Sequence, residues 1–288
     1  MKLTFVGFTS FVGIYIFYSI SSVNLYTQTI SKDNLSQGSS PSNSSSFNYR
    51  YLPNEAFGFG ERLDYKVGYK FITAGTGYLQ IMPNPVNRKG RPCYDIRFEV
   101  KSLPALDYLY KVRDQYSAVM DVAGLFSWEF NQKIREGRYK RDEQAIFDQA
   151  NNLVYTRGET YKIPPYTYDI MSAFYYVRSL NLSEMPKGTV FYLDNFFKDT
   201  TYRLGVKIHG KTVETVDAGK FRCIVIEPLV VEGGLFKSEG SIYIWLTDDA
   251  RKIPIKVATK IPIGFVEAKL TGYSGIRGPI DAKLPYKK

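Results

Sequence analysis

Histidine is almost missing from this sequence: His209 stands alone among 288 residues. That scarcity excludes His-ligated zinc sites and Ser-His-Asp triads, which need imidazoles as ligand or base. A nucleophile elbow is missing too, because Ile276 stands where Gly272-Tyr273-Ser274-Gly275 would need its final glycine. Cysteine is limited to Cys93 and Cys223. Outside the cytoplasm these two could form a disulfide, provided their Cα atoms lie within about 7 Å; the alternative is two separate buried thiols. No cofactor and no metal are expected. No run of Lys or Arg exceeds three residues, and no nucleic-acid-binding motif is present. The 38 basic against 28 acidic side chains, a net charge of +10, therefore read as a soluble surface with a basic bias. Such a surface permits contact with anionic membranes or acidic glycans rather than nucleic acid.

What the sequence has in quantity is aromatic: 24 Tyr and 19 Phe. Such content suits strands and sheet packing, and also flat ligands such as sugars or lipids. At the N-terminus one Lys precedes an apolar run from Leu3 to Ile20 and the small residues Ser19, Ser21 and Ser22. That order predicts a secretory signal peptide over 1–22. An uncleaved anchor is the alternative, since a run of about 18 apolar residues approaches a membrane span, and it would be the chain's membrane tether. No Cys follows the run, so a lipoprotein anchor is not expected. Residues 23–56, Ser-rich from Ser31 to Ser46, read as a flexible linker. Residues 57–275 read as a single β-rich domain and 276–288 as a basic tail that frays.

The domain is organised around Glu61 to Ile81. Leu63, Tyr65, Val67, Tyr69 and Phe71 alternate with Arg62, Asp64, Lys66, Gly68 and Lys70, which predicts a strand with one buried face. Ala74-Gly75-Thr76-Gly77 is expected as the bend into a second strand. Alternation continues through Tyr94–Val100, Val112–Asp121, Trp128–Arg135, Arg138–Phe147 and Tyr202–Ile208, with short turns that favour antiparallel neighbours. Ser241 to Thr247 is apolar on both parities and predicts a central strand covered on both faces. One segment changes period. Ile170, Ala173, Phe174 and Val177 fall at helical spacing behind Asp169 as N-cap, predicting a helix over 169–180. The expected fold is mainly β: one large curved antiparallel sheet, an open or nearly closed barrel, with one amphipathic helix packed on it.

The segments FGFGERLDYKVGYKFITAGTGYLQI, YKVRDQY, YDIMSAFYYVRSL, DAGKFRCIVIEP and GSIYIWLTDDARKIPIKVATKIPIG together resemble the bacterial family called domain of unknown function 3108. The likeness covers most of 57–275. It implies an exported β-rich protein, mostly found in Gram-negative bacteria, sited in the periplasm or on the outer envelope, and it implies no activity. IYIWLTDDARKIPIKV is also similar to a stretch of periplasmic lipoprotein carriers, which implies by analogy a curved, unclosed barrel holding acyl chains beneath a helical lid.

Candidate chemistry is sparse. The strand-associated carboxylates Glu61, Glu99, Glu129, Glu143, Glu227, Glu239 and Glu267 could supply a glycosidase pair, although sequence cannot bring any two together. His209, beside Lys207 and Lys211, reads as a surface residue, and Asp248-Asp249 as turn carboxylates. Arg113-Asp114 is expected to fix a sheet corner or to meet a ligand head group. Gly233-Gly234 is expected to form a turn or lip, with Leu235 and Phe236 exposed beside it. Candidate lining residues for a concave ligand site are Tyr65, Tyr69, Phe71, Tyr243 and Trp245, whose alternative role is core packing. The leading expectation is a non-enzymatic envelope protein that binds a lipid or other amphipathic ligand, or an envelope protein partner, in the concavity of its sheet. The alternatives are a glycan-binding or glycan-cleaving protein and a scaffold of an envelope complex.

Overall fold

Apolar–polar alternation builds strands along nearly all of the chain that the computed structural model describes, residues 47–232, 235–236, 242–261 and 264–285. The signal segment, the linker as far as residue 46 and the Gly233-Gly234 lip lie outside the described residues, as do the side chains of Leu235 and Phe236. Nine strands come first: β1 (Arg62–Tyr69), β2 (Ile72–Ile81), β3 (Val86–Arg88), β4 (Arg91–Ser102), β5 (Arg113–Asp121), β6 (Ser127–Glu136), β7 (Tyr139–Asp148), β8 (Leu153–Thr156) and β9 (Glu159–Lys162). One helix follows, α1 (Ile170–Ser179). The rest is β10 (Val190–Phe197), β11 (Thr200–Val216), β12 (Gly219–Glu232), β13 (Leu235–Phe236), β14 (Ile242–Thr247), β15 (Pro254–Ile261), β16 (Gly264–Ser274) and β17 (Lys283–Leu284).

These strands form one antiparallel sheet with the order β9-β8-β7-β6-β5-β4-β2-β1-β16-β15-β14-β12-β11-β10. The sheet curls without closing. Its two edge strands meet through side chains: the Phe196 ring of β10 lies 5.6 Å from Tyr161 of β9 and 6.3 Å from Phe147 of β7. The segment entering α1 adds to the β10 edge, where Tyr168 N donates to Asp194 O at 2.9 Å and Phe196 N to Tyr168 O at 2.8 Å. Gly75 and Gly77, expected as a bend, lie inside β2. A Cβ there would stand 2.5 Å from Lys101 O and 2.7 Å from Glu99 O, so glycine is what lets β4 approach this closely. The turn itself is Lys70-Phe71, which leaves Phe71 93% exposed instead of on the inward row.

Register decides which face is concave. Val67, Ala268, Val257, Ile244, Ile226 and Ile208 lie side by side across six strands. Val177 and Leu182, on and just after α1, pack on the Ile208–Ile226–Ile244 end of this row, so this is the concave face. Tyr243 and Trp245 therefore point the other way. Their register partners Ala258 and Lys256, and beyond them Glu267 and Lys269, belong to the convex surface. β14 reads as apolar on both parities because an arm covers that surface. The β11–β12 hairpin bends at a bulge beside Gly210 (φ +104°) and lies over the outside of β15 and β16. Lys256 binds Glu214 at 2.7 Å, Lys66 binds Asp217 at 2.7 Å, and Ala218 N donates to Leu270 O at 3.3 Å. Lys256 Nζ also sits 4.0 Å over the Trp245 ring. Trp245 packs the arm; it lines no concavity.

α1 closes one end of the barrel, and both its ends are fixed by buried polar groups. Asp169 caps it as expected, accepting from Met171 N and Ser172 N, while its second carboxyl oxygen takes the hydroxyls of Ser127 and Ser172 at 2.6 Å. At the other end Arg178 donates to both oxygens of Glu61 at 2.6 and 2.9 Å, and to the carbonyls of Lys252 and Arg251. Neither side chain of this pair has any exposed surface. Phe57 and Tyr175 pack their rings on the guanidinium, which lies 5.3 and 5.0 Å from their centres. Burial works against the Arg178 charge, but the Glu61 charge and hydrogen bonds outweigh it and hold the guanidinium above its ordinary value.

Residues 276–285 pack rather than fray: Ala282 is fully buried, β17 pairs with β12, and Arg277 donates to Asn54 O at 2.8 Å. Cys93 and Cys223 are free buried thiols in different clusters, Cys93 against Phe126 and Trp128, Cys223 in the main core with Phe221. Burial pushes both thiols up to about 12.

Removing one member of the Glu61–Arg178 pair leaves the other as an uncompensated buried charge. Glu61→Gln or Arg178→Met alone is expected to lower unfolding free energy by about 3–5 kcal/mol. The double replacement Glu61→Leu with Arg178→Met should recover much of that loss, as read from urea unfolding. Additive losses would contradict the pairing.

Candidate functional site

The interior next to α1 is packed by the protein's own side chains. Leu63, Tyr65, Ile81, Tyr94, Ile96, Met171 and Tyr175 form one buried cluster, and the Tyr65 hydroxyl donates to Pro254 O at 2.8 Å. The other end of the barrel, the rim, carries the Lys70-Phe71 turn, the 103–111 loop and the β6–β7 turn. There the concave faces of β5, β6 and β7 turn polar. Asp114 shares the inward parity of Tyr116 and Ala118, and Glu136 that of Phe130, Gln132 and Ile134. Strand pairing sets Tyr116 beside Gln132, Gln132 beside Glu143, and Ile134 beside Arg141. Six polar side chains thus share a wall that would ordinarily be apolar.

Asp114 and Glu136 are 0% and 1% exposed. Asp114 Oδ1 accepts from Arg135 N at 2.9 Å, whereas Asp114 Oδ2 and both Glu136 oxygens have no hydrogen-bonding donor. Burial, then the charge of Asp114, pushes Glu136 up to about 9; burial raises Asp114 as well. At neutral pH the two carboxyls therefore hold a proton between them, which makes each a partner of the other. Gln132, 1% exposed, lies against the Tyr116 hydroxyl, yet neither of its amide atoms makes a hydrogen bond of normal geometry. Arg141 reaches Glu143 through Nε at 2.9 Å and lies 4.8 Å over the Phe197 ring of the opposite edge, while its buried Nη2 is unpaired. Glu143 also binds Arg157. Partly satisfied networks of this kind are costly in a core.

The carboxyl pair does not have the spacing of a glycosidase pair. Two carboxyls that share a proton leave no room for the sugar and water that a glycosidase pair spans. The other strand glutamates are already engaged: Glu61 by Arg178, Glu99 by Gln115, Glu129 by Arg88 and Glu267 by Lys269. Glu239 lies outside the described residues. Glu227 holds His209 Nε2 at 2.6 Å, so the histidine is a partnered residue of the β11 bulge rather than a bare surface group. Asp249 accepts from Arg251 N, Lys252 N and Ala282 N, which is the turn role expected of it.

Of the residues singled out from sequence, Asp114 and Glu143 belong to this cluster. Tyr65 is core near α1 and Tyr69 is half-buried at the rim; Phe71 projects beyond the sheet, and Tyr243 and Trp245 lie outside it. Arg113, adjacent on the strand, faces away from Asp114. It binds Asp107 at 2.6 Å and Ser102 Oγ at 3.0 Å, fixing the corner after β4. Gln132, Glu136 and Arg141 were not singled out. Their signal is a polar residue on the inward parity of a strand.

The sign of the pH effect follows from the raised Glu136. Between its ordinary value of 4.5 and about 9 the folded chain keeps a proton that the unfolded chain has lost. Stability should therefore fall as pH rises through this window and level off above it. Glu136→Gln should remove a slope on the order of 1 kcal/mol per pH unit relative to the parent. Urea unfolding of both proteins between roughly pH 5 and 9 checks this, and parallel profiles would refute it.

Comparison with known proteins bears on the fold and the family. A comparison with curated proteins finds no match. Among solved structures, a β-barrel-like protein of domain of unknown function DUF1849 from Brucella abortus superposes with a TM-score of 0.51 at 10% identity, covering 76% of this chain and 99% of its own. It shares the fold. A Bacteroides fragilis protein described as a candidate exported protein with a YmcC-like fold gives a TM-score of 0.29 at 9% identity, over 78% of this chain and 98% of its own, too low to carry an argument. The model of the family described as protein of unknown function (DUF3108) matches residues 64–271, most of the chain from the third residue of β1 onward, and the chain belongs to that family.

Proposed function

We propose that the chain is a non-enzymatic, exported protein of the bacterial envelope that holds an amphipathic ligand in the rim half of its concavity. The observation that carries this reading is Gln132: a buried amide that meets only the Tyr116 hydroxyl, beside a carboxyl pair with one backbone donor between its two groups and a buried Arg141 nitrogen with no hydrogen-bond partner. A fully packed core would have apolar residues in these places. The concave face of β1 and β16 at the rim is apolar, with Val67 and Val266 in one cluster. One surface thus offers donors and acceptors for a head group while the other offers contact for hydrocarbon. The α1 end is filled, which confines the ligand to the rim half. The lone histidine and the strand glutamates Glu61, Glu99, Glu129, Glu227 and Glu267 are tied to structural partners, which speaks against catalysis by them.

The test separates binding from architecture. Protein purified from the envelope and extracted with solvent is expected to release a lipid-like molecule identifiable by mass spectrometry, and a fluorescent fatty-acid probe should bind. Gln132→Leu with Glu136→Leu should raise stability, since it removes buried polar atoms lacking partners, while abolishing both signals. If nothing is extracted and the probe does not bind, the reading fails.

A further inference from the structure

Four segments at the rim stand next to one another. Tyr69 pairs with Val266, Leu103 N donates to Ala74 O at 2.9 Å, and Gly137 N donates to Lys111 O at 2.8 Å. The Lys70-Phe71 turn, the 103–111 loop, the β6–β7 turn and the start of β16 are thereby one continuous edge. Five large hydrophobic residues are more than half exposed among the described residues, and four of them lie on this edge: Phe71 at 93%, Tyr108 at 81%, Leu109 at 67% and Ile72 at 58%. The fifth, Tyr51, belongs to the opposite end, where neighbouring Leu52 N donates to Ala123 O in the β5–β6 turn. Tyr139 and Phe265, each 40% exposed, extend the edge on either side. Scattered exposure needs no explanation, but concentration on adjacent tips does.

Charge narrows what could cover them. Lys70, Lys111, Arg138 and Lys140 are exposed on these same tips. The acids in residues 69–72, 103–111, 136–140 and 264–267 are Asp107, bound by Arg113, Glu267, bound by Lys269, and Glu136, buried in the polar cluster. The edge therefore presents aromatic and aliphatic side chains interleaved with cations, and its carboxylates are withdrawn. Protruding hairpin tips also differ from the flat, close-packed patch of a protein interface.

We propose that this edge docks on an anionic lipid bilayer, with Phe71, Ile72, Tyr108 and Leu109 entering the interfacial layer and the four cations lying among acidic head groups. Aromatics and lysines at one level are what such an interface selects, and each basic residue near an anionic leaflet adds to binding in a salt-dependent way. The contact is separate from the polar cluster and does not depend on a ligand being held there.

The test uses the full chain, so that membrane contact by its apolar N-terminal segment is present in every sample. An environment-sensitive fluorophore is attached at Phe71→Cys, at Leu109→Cys, and at Tyr51→Cys as the control; Cys93 and Cys223 are buried and should not label. Vesicles of phosphatidylcholine with roughly one third phosphatidylglycerol should blue-shift the labels at 71 and 109 and expose them to a lipid-borne quencher, leaving the label at 51 in water. Pure phosphatidylcholine or high salt should weaken the shift, Leu109→Glu should cut the shift of the label at 71 by about tenfold, and Phe71→Glu should do the same to the label at 109. If the chain binds vesicles while 71 and 109 stay in water, another segment makes the contact and the proposal fails. It fails equally if the labels shift with protein concentration and no lipid, which would give the edge to a second copy of the chain.

Discussion

The buried ion pair between Glu61 and Arg178 is the contact on which the arrangement of this molecule depends. A carboxylate at the threshold of β1 and a guanidinium at the last turn of α1 meet across 117 positions of sequence, entirely out of water. Desolvating two charges is unfavourable, and a buried pair is weak evidence for net stability. Its value here is positional. An apolar helix face could slide or rotate against the curved sheet at little cost, whereas a bidentate pair with two further carbonyl acceptors permits one placement. Asp169 with Ser127 does the same at the other end of the helix.

That placement divides the interior. The helix brings Met171 and Tyr175 to the wall of β1–β7, and Val177 to the wall of β11–β14, so the space beneath it is occupied by the molecule's own side chains. What remains is the rim half, where β5–β7 present acids, an amide and an arginine to the inside. A barrel with a filled end and a polar wall at the other differs from a carrier whose helix acts as a removable lid. In this chain the helix is core, and any ligand would have to be held beyond it, next to the edge that carries the exposed aromatics.

Much of the fold could be read from the residues. The alternation in β1, β4, β5 and β6 and the change of period at Ile170 behind Asp169 gave a curved antiparallel sheet with one helix, because one-sided burial imposes those periods. Placement of the faces was harder. Tyr243 and Trp245 share a strand with Ile242 and Ile244, and parity alone cannot say which pair points inward when an arm covers the outside. Phe71 continues the inward row of β1 by pattern, but the chain turns one residue earlier, at Lys70. The polar cluster and the Glu61–Arg178 pair were legible only as exceptions. Glu61 stands on the parity of Leu63 and Tyr65, Arg178 falls on the helical stripe of Met171 and Tyr175, and Glu136 and Gln132 share the parity of Phe130. A charged or amide residue at a position the pattern reserves for the core is the trace that buried polar groups leave in a sequence.

Membership of the DUF3108 family and the likeness to a β-barrel-like structure establish the architecture, and in this chain the division of the interior depends on α1 being fixed. Native-state hydrogen exchange of the α1 backbone measures this most directly. A helix bolted at Asp169 and Arg178 should exchange only through global unfolding, with protection equal to that of the central strands β1 and β16. Exchange of residues 171–178 through a separate, lower-energy opening would mean that the helix is a lid after all, and would contradict the division of the interior described above.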